Sequence, residues 1–313
     1  MKAPRTDVNG VVNLLKPAGM SSHDAVAFFR RISGVRRVGH TGTLDPMAAG
    51  VLLLCVGKAT RIAEYLTTGG KRYRCEMRLG AVTDTQDIWG RVLSEAESGF
   101  AARLSEELIA ETAAGFVGEQ MQTPPAYSSV KVKGKKLYEY ARAGEHVVVP
   151  ARKIEITRLD IRRTDLARGI VSFDAECSKG SYMRTLCHDI GLKLGCGAAM
   201  SGLVRTACGM FDIADAYTAE AVETAFSPGA VPGGVLTAPD TALGHFPVLK
   251  LSSNASRAFV NGVKTDVAVV VAHTKSDALY RVYGDAESRG ETFLGIGRVE
   301  SDTLFPEKVL FRV

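Results

Sequence analysis

One stretch constrains this chain more than any other, because a polar loop runs without a break into a short apolar segment. The loop is GHTGTLDPMAAG, residues 39–50, and the apolar segment is VLLLCV, residues 51–56. A short continuous apolar run of this kind is typical of a fully buried strand. The loop therefore places one carboxylate, that of Asp45, at the edge of an apolar core.

Asp45 has two interpretations on the residues alone. Pro46 follows it and biases its backbone toward an extended conformation, which partly fixes the direction of the carboxylate. A carboxylate fixed in a semi-apolar loop is a candidate nucleophile or general base. An Asp-Pro pair is also a common way to begin a turn, and composition alone favours that simpler interpretation.

The overall composition is typical of a soluble globular protein. Apolar residues make up 46% of the 313 residues and charged residues 23%, which is ordinary for a globular chain. No apolar run approaches the roughly 18 residues that a membrane helix needs, and the first residues, MKAPRTD, lack the apolar core of a signal peptide. We expect a cytoplasmic protein that does not bind membranes, built from one large and one small domain or from two domains.

Six cysteines are scattered along the chain, at positions 55, 75, 177, 187, 196 and 208. None of them forms a C-x-x-C pair, and four lie in apolar or alternating runs. Cys187 and His188, followed by Cys196, bear a faint likeness to metal ligands, but their spacing does not match a zinc site. We expect reduced, buried thiols and no bound metal.

Positive charge is concentrated in one segment. The chain carries 39 Lys and Arg against 34 Asp and Glu, a net charge of +5. Residues 131–163 alone hold ten basic and four acidic residues, a local excess of +6. A basic block of this kind is the footprint expected of a nucleic-acid-binding surface, although an ordinary solvated surface gives the same pattern.

A strictly alternating run predicts a strand over residues 71–79, KRYRCEMRL. The period of two places one set of side chains on the buried face, namely Tyr73, Cys75, Met77 and Leu79. On this pattern alone, Tyr73 is an ordinary core residue.

A helical pattern runs from Ser181 to about Leu194. Its apolar face carries Met183, Leu186, Cys187, Ile190 and Leu194. Arg184 falls in the first turn and away from that face. A cation there opposes the helix dipole, so the position is better explained if an anion lies nearby.

Two further motifs suggest chemistry but receive simpler interpretations. Asp84 and Asp87 lie three residues apart, as in acid/base or cation sites, yet a polar turn explains them and we assign them no catalytic role. Gly57-Lys58 resembles the end of a phosphate-binding loop but fails its spacing. A helix over residues 58–66 is the better prediction there, with Ile62, Tyr65 and Leu66 facing inward.

Several segments together resemble the TruB-type tRNA pseudouridine synthases. GHTGTLDPMAAGVL resembles the catalytic motif of that family, and other segments that match are LLKPAGMSSHDAV, KRYR, CSKGSYMRT and QTPPAYSSVKVKGKKLYEYAR. The resemblance implies an α+β fold, with a mixed catalytic core on a largely antiparallel sheet. It also implies that uridine 55 in the T arm of tRNA is converted to pseudouridine.

The resemblance assigns roles to individual residues. Asp45 falls on the family's essential catalytic aspartate, and Arg184 on the arginine that pairs with it. Tyr73 matches the tyrosine that stacks on the target base, so the catalytic set is Asp45, Arg184 and Tyr73. The other positions that match base or RNA contacts are His40, Tyr182 and Leu203.

Residues 122–152 resemble the family's thumb, an insertion that clamps the T loop. Its candidate RNA contacts are Lys133, Lys135 and Lys136, interleaved with tyrosines that offer stacking surfaces. We expect the thumb to be mobile without RNA and ordered with it.

The C-terminal part predicts a small β-rich domain. Residues 227–239 are rich in Pro and Gly and indicate a linker or long loop. Short apolar runs follow, at 246–251, 267–271, 279–283, 293–299 and 309–313. Their closing pattern, FLGIGRVESDTLFPEKVLFRV, resembles the PUA RNA-binding domain. The expected division is therefore a catalytic domain, residues 1–245, and a PUA-like domain, residues 246–313.

The reaction implied by the resemblance is an isomerisation, which needs no cofactor and no metal. Asp45 would attack either C1′ of the ribose or C6 of the base, and the sequence does not distinguish between these two mechanisms. The expected partner is the tRNA T-arm stem-loop, bound by a monomer. Two alternatives stay open: a family synthase acting on a different RNA, and a non-catalytic RNA-binding or tRNA-folding protein.

Overall fold

The structure is a computed structural model that describes residues 8–145, 147–227, 234–266, 278–287 and 290–310. The helices are α1 (Ser22–Ser33), α2 (Glu106–Ala114), α3 (Leu137–Arg142), α4 (Met183–Lys193), α5 (Ala219–Ala225) and α6 (Ser253–Val260). In the described part, no helix is long and apolar enough to cross a membrane.

The strands of the first two thirds of the chain are β1 (Gly10–Lys16), β2 (Val38–Thr41), β3 (Ala49–Val56), β4 (Lys71–Leu79), β5 (Ala81–Thr83), β6 (Val92–Glu95), β7 (Gly118–Gln122), β8 (Lys131–Val132), β9 (Lys135–Lys136), β10 (Arg152–Asp165), β11 (Ile170–Cys177), β12 (Ala198–Cys208) and β13 (Phe211–Asp212). The remaining strands are β14 (Val248–Leu251), β15 (Thr265–Asp266), β16 (Ala278–Gly284), β17 (Thr292–Glu300) and β18 (Thr303–Val309).

A nine-stranded sheet forms the centre of the larger part. Its strand order is β1-β3-β12-β4-β11-β10-β7, with β2 added to β3 and β13 added to β12. The β3–β12 pair is parallel, whereas the other pairs in this sheet are antiparallel. The predicted α+β class with a largely antiparallel sheet is therefore confirmed.

Strand β3 is buried on both faces, as its unbroken apolar sequence predicts. Leu52, Leu54 and Val56 join the main core, which α1 and α4 cover. Val51, Leu53 and Cys55 face a second core, to which the C-terminal part contributes Ile296 and Leu310. Because no face of β3 meets solvent, the polar loop before it begins directly at the edge of the core.

Helix α1 supports the loop from the other side, and its ends are closely defined by sequence. Ser21 and Asp24 form a capping box, in which each side chain accepts a hydrogen bond from the other residue's backbone N–H. The helix ends at Gly34, which adopts φ +74°. Phe29 is fully buried and packs edge-on against Phe226 of the segment after α5.

The predicted helix over residues 58–66 is wrong in type. The segment forms two short 3₁₀ helices, Gly57–Ile62 and Tyr65–Thr67. Ile62 and Leu66 face inward as predicted, whereas Tyr65 is only half-buried. Glycines bound the segment on both sides, and so short a span forms little regular helix without tertiary support.

The C-terminal part contains its own sheet, of order β14-β16-β17-β18-β15, with α6 packed on it. This confirms a C-terminal β-rich domain. Of the apolar runs predicted to be strands, those at 246–251, 279–283 and 293–299 correspond to β14, β16 and β17. The run at 267–271 and most of the run at 309–313 lie outside the described residues, as does the middle of the predicted linker.

Polar contacts also join the C-terminal sheet to the larger part, and two of them involve its strand β18. The Arg61 guanidinium donates to the Val309 carbonyl. The Lys308 ammonium lies 2.8 Å from a carboxylate oxygen of Glu64. The second face of β3 is thus covered by a C-terminal domain that makes both apolar and polar contacts with it.

Gly50 marks the point where β3 leaves the loop and approaches β12 most closely. Its φ is +106°, and a Cβ there would lie 2.2 Å from the carbonyl oxygen of Arg205. Those contacts are with backbone of a paired strand, so a side chain at this position would force the two central strands apart.

We expect Gly50→Ala to lower the free energy of unfolding by about 2–5 kcal/mol, from backbone strain and overpacking together. Gly19→Ala is the matched control, because Gly19 also has a positive φ, +86°, but open space around its missing Cβ. It should lose only about 1–2 kcal/mol. Chemical denaturation of both variants measures the difference, and equal losses would show that the β3–β12 contact is not limiting.

Candidate active site

A cavity of about 930 Å³ opens where the loop before β3 meets β4, the start of α4, the turn before β6 and the segment before α3. Its volume lies near the upper end of the roughly 300–1,000 Å³ typical of small-molecule sites. Predicted site residues in its wall are Asp45, Tyr73, Tyr182, Arg184 and Leu203. Residues more than 150 positions apart in sequence therefore share one cavity.

The loop that carries Asp45 is held from α1. The Ser22 hydroxyl accepts a hydrogen bond from the Leu44 backbone N–H at 2.9 Å and donates to the Leu44 carbonyl at 3.1 Å. The Gly19 N–H donates to the Pro46 carbonyl at 2.8 Å. These bonds flank Asp45 on both sides, so its backbone has little freedom.

Lys16 supports the same loop from below. Its side chain is fully buried, and its ammonium donates to the carbonyls of Pro17, Met20 and Pro46. Burial, together with the nearby Arg205 guanidinium, lowers the pKa of Lys16 to about 8. The ammonium thus links the turn after β1 to the residue that follows Asp45.

Asp45 and Arg184 form a two-pronged ion pair. The Arg184 Nε lies 2.9 Å from Oδ2 of Asp45, and one terminal nitrogen lies 3.3 Å from Oδ1. Such a fork aims the carboxylate as well as attracting it. Arg184 also donates to the carbonyls of Thr85 at 3.0 Å and Tyr127 at 2.8 Å.

Arg184, predicted to lie off the apolar face of its helix and near an anion, is nevertheless buried, and its partners are polar. Arg184 is only 5% exposed, because the first turn of α4 lies in the cavity wall rather than at the protein surface. Backbone carbonyls and carboxylates surround the guanidinium there. They supply the negative partners that a cation at a helix N-terminus requires.

Asp87 is a site residue that the sequence interpretation missed. Its Oδ2 lies 3.9 Å from the Arg184 guanidinium, so two carboxylates share one cation. Its other oxygen, Oδ1, accepts the Trp89 N–H at 3.1 Å and stabilises the turn. The turn was correctly predicted, and the same side chain performs both tasks. The signal in the sequence was the pair of acids itself.

Burial raises the pKa of Asp45 above its usual range, and the negative charge of Asp87 adds to the rise. The Arg184 guanidinium opposes both effects and stabilises the ionised form. One edge of the Asp45 side chain, 37% of its surface, faces the open cavity, while protein surrounds the rest. A partly desolvated carboxylate with an open edge suits nucleophilic attack.

Tyr73 lies on β4 and is almost fully buried in the cavity wall. Burial raises the pKa of its hydroxyl to about 12, against the opposing charge of Arg205. Arg205 is itself fully buried and donates to the carbonyls of Val51 and Gly42. The same guanidinium therefore contacts β3 and the loop, and its charge acts on Tyr73.

The three remaining residues predicted to contact the base or RNA do not all line the cavity. Tyr182 and Leu203 face the cavity, whereas His40 does not lie in its wall. His23 occupies that position, and the His40 ring packs edge-on behind it at 5.9 Å. Burial lowers the pKa of His40, and the neighbouring His23 lowers it further.

The thumb lysines lie on the β8–β9 hairpin, outside the cavity wall. Lys133 and Gly134 both have positive φ, +48° and +87°, which closes a tight turn. Lys135 lies over the Tyr140 ring and Lys136 over the Tyr138 ring, at 5.6 and 5.4 Å. The residues of the thumb that line the cavity are Tyr127, Ser128, Ser129, Tyr138 and Arg142.

All six cysteines are free and buried, as predicted. Cys75 and Cys187 approach each other at 3.5 Å between sulfurs. Across the described residues, no group of three or more His, Cys, Asp or Glu side chains is arranged to hold a metal ion.

Comparison with known proteins places this site in a family. The protein-family model described as "TruB family pseudouridylate synthase (N terminal domain)" matches residues 30–183. The model described as "tRNA pseudouridylate synthase B C-terminal domain" matches residues 184–229. Together they span residues 30–229, which include every strand of the nine-stranded sheet except β1 and most of the cavity wall, but not the C-terminal sheet.

Similar proteins carry the same name. A protein called tRNA pseudouridine synthase B from Heliobacterium modesticaldum is 45% identical over 82% of this chain and 82% of its own length. Another of that name, from Caldanaerobacter subterraneus subsp. tengcongensis, is 40% identical over 96% of this chain and 99% of its own. The second similarity extends through the C-terminal sheet.

Solved structures share the fold. A Cbf5-Nop10-Gar1 complex contains a chain with a TM-score of 0.71 at 25% identity, covering 96% of this chain and 85% of that one. A chain of an H/ACA RNP bound to a substrate RNA containing 2′-deoxyuridine also gives 0.71, at 24% identity, covering 97% and 85%.

The shared guanidinium predicts opposite shifts in the pKa of Asp45. Asp87→Asn removes a negative charge and should lower that pKa, whereas Arg184→Met removes the positive charge and should raise it. Asp84→Asn is the control, because Asp84 lies on the same turn but bonds the Arg91 N–H instead. Carboxyl ¹³C shifts followed against pH measure each value. Shifts of the same sign in the first two variants would contradict the shared ion pair.

Proposed function

The chain belongs to the TruB family of pseudouridylate synthases, and from that premise we propose that it isomerises uridine 55 in the T-arm loop of tRNA to pseudouridine. The proposal places Asp45 as the nucleophile and uses no cofactor. The observation that carries it is the forked ion pair between Asp45 and the buried Arg184 in the wall of a cavity of about 930 Å³. The tRNA substrate is inferred from the names of the curated relatives, which are tRNA pseudouridine synthases.

The reaction breaks the bond from N1 of uracil to C1′ of the ribose and forms a bond from C5 to C1′. The hydrogen at C5 is lost, and N1, freed from the sugar, gains one, so atoms and electrons balance without an external reagent. Asp45 forms a covalent adduct that holds the reacting centre while the base rotates. Attack on C1′ and attack on C6 both satisfy this balance.

Arg184 serves this chemistry by keeping Asp45 ionised and aimed. Without the guanidinium, burial and Asp87 would both favour the protonated acid, which is no nucleophile. The fork also restricts rotation of the carboxylate, which leaves its exposed edge directed into the cavity.

The target uridine must leave its stack before Asp45 can reach it, at a cost of a few kcal/mol. Tyr73, Tyr182 and Leu203 offer aromatic and apolar surfaces that would compensate for the lost stacking. Base–aromatic stacking contributes roughly 1–3 kcal/mol per base. His40 would act from behind His23, by fixing that ring in the cavity wall.

The rest of the chain would grip the RNA outside the reacting nucleotide. We assign residues 1–245 to the catalytic domain, residues 122–152 to the thumb within it, and residues 246–313 to a PUA-like RNA-binding domain. Lys133, Lys135 and Lys136 would contact phosphates, while Tyr138 and Arg142 connect the thumb to the cavity. The enzyme would act as a cytoplasmic monomer, without a metal.

The decisive experiment uses an unmodified tRNA transcript with tritium at C5 of its uridines, and purified protein without added cofactor. Release of tritium, with pseudouridine mapped to position 55, is the expected result, because C5 loses its hydrogen. Release at another position or from another RNA would keep the reaction and overturn the substrate. Binding without release would favour a tRNA-folding protein.

Asp45→Asn provides the internal control of that assay. It preserves the shape of the side chain and removes the nucleophilic charge, so we expect turnover to be abolished while tRNA affinity changes little. Turnover above background would contradict the nucleophile. A large loss of affinity would instead show that the variant disturbs binding.

Neutralising the three thumb lysines should flatten the salt dependence of tRNA binding. Each lost phosphate contact reduces the slope of log K against log salt by about 0.7–0.9, so Lys133→Gln, Lys135→Gln and Lys136→Gln together should reduce it by about 2. Lys193→Gln is the control, because Lys193 is an exposed cation at the far end of α4. An unchanged slope in the triple variant would remove the lysines from the RNA interface.

A further inference from the structure

The single tryptophan of this chain lies in the wall of the active-site cavity, and nothing in the proposed reaction uses it. Trp89 is 47% exposed, although a tryptophan is more often highly buried. Across the described residues, no hydrogen-bond acceptor, aromatic ring or cation contacts its indole. The largest apolar side chain in the protein is thus left uncovered beside the catalytic carboxylate.

The turn that presents Trp89 is firmly held. Asp84 Oδ1 accepts the Arg91 N–H at 2.9 Å, and Asp87 Oδ1 accepts the Trp89 N–H at 3.1 Å. The backbone of residue 88 donates to the Met200 carbonyl on β12 at 3.0 Å. Gly90 completes the turn, since a Cβ there would lie 2.2 Å from the Thr85 hydroxyl.

This rigidity fixes the backbone from which the indole projects into the cavity wall before any ligand arrives. A preorganised aromatic side chain loses little conformational entropy on binding, so most of its contact energy contributes to affinity. The same Asp87 side chain that bonds the Trp89 N–H contacts Arg184 through its other oxygen. The position of the indole is therefore tied to the position of the catalytic ion pair.

We propose that Trp89 forms a second nucleobase subsite, on which an unpaired base beside the target uridine stacks. This inference rests on the proposed function and adds a second contact to the same site. A cavity of about 930 Å³ lies near the upper limit for a drug-sized ligand, so it holds more than one uracil. A flat indole offers the sequence-tolerant surface that a second extruded base requires.

Trp89 lies on the β5–β6 hairpin, whose other exposed apolar side chains, Ile88, Val92 and Leu93, do not lie in the cavity wall. A protein partner bound to the hairpin would contact them together with Trp89. Of the exposed apolar side chains on this hairpin, only Trp89 lies in the cavity wall that Asp45 and Tyr73 also line. A macromolecule that covers it must therefore enter the cavity together with the substrate. This placement favours RNA as the occupant.

Because the chain has one tryptophan, its fluorescence reports directly on the subsite. We would titrate the full-length wild-type protein with an unmodified T-arm stem-loop RNA and excite on the long-wavelength edge of indole absorption. Stacking predicts saturable quenching whose midpoint equals the Kd from an independent binding assay. An unchanged indole signal at saturating RNA would overturn the subsite.

Variants separate stacking from simple apolar contact. Trp89→Leu keeps apolar surface but removes the π-face, and should raise the Kd for RNA by about 5-fold or more, as expected for a stacking contribution of at least about 1 kcal/mol. Trp89→Phe should restore most of the affinity. The control Leu93→Ala, at a comparably exposed position on the same hairpin, should leave binding unchanged.

The single-turnover rate at saturating RNA distinguishes this role from a structural one. Trp89→Leu should weaken binding by a larger factor than it slows that rate, whereas a structural role that acts through Asp87 and Arg184 would slow the rate at least as much as it weakens binding. Equal affinities of wild type, Trp89→Leu and Leu93→Ala would overturn the subsite. Equal losses in Trp89→Leu and Leu93→Ala would point to a general apolar face and overturn it too. Wild-type turnover of uridine 55 in either case leaves the proposed function intact.

Discussion

The buried guanidinium of Arg184 is the interaction on which the site depends. Three segments supply its four partners: Asp45 from the loop before β3, Asp87 and Thr85 from the turn before β6, and Tyr127 from the thumb. A buried charge that loses one partner costs several kcal/mol. Moving any one of these segments away would leave the guanidinium without a partner, so the wall of the cavity depends on all three meeting at Arg184.

The ion pair with Arg184 holds only the side chain of Asp45. The loop that carries Asp45 is therefore also supported through its backbone. Two further buried cations do this, Lys16 through the Pro46 carbonyl and Arg205 through the Gly42 carbonyl. Neither forms an ion pair within 4 Å among the described residues. Their desolvation is unfavourable, and it is offset by the apolar packing on both faces of β3.

Local periodicity explains which parts of this fold were accessible from sequence. The buried β3, the alternating β4 and the capped α1 each depend on side chains a few residues apart, and the structure contains all three. Asp45 and Arg184 are separated by 139 positions, and no periodic pattern connects them. Their pairing was expected only from family resemblance. The position of His23 in front of His40 depends on how α1 meets β2, which neither periodicity nor resemblance specified.

The first turn of α4 shows how far physical reasoning from sequence extends. A cation opposed to the helix dipole required an anion, and that requirement was sound. That requirement specified neither the number of anions nor that the helix would begin inside the protein. Asp87 was passed over because a turn already explained it, yet a carboxylate has two oxygens. One bonds the turn and the other faces Arg184. A structural role and a functional role are therefore not alternatives for a buried acid, and finding the first does not exclude the second.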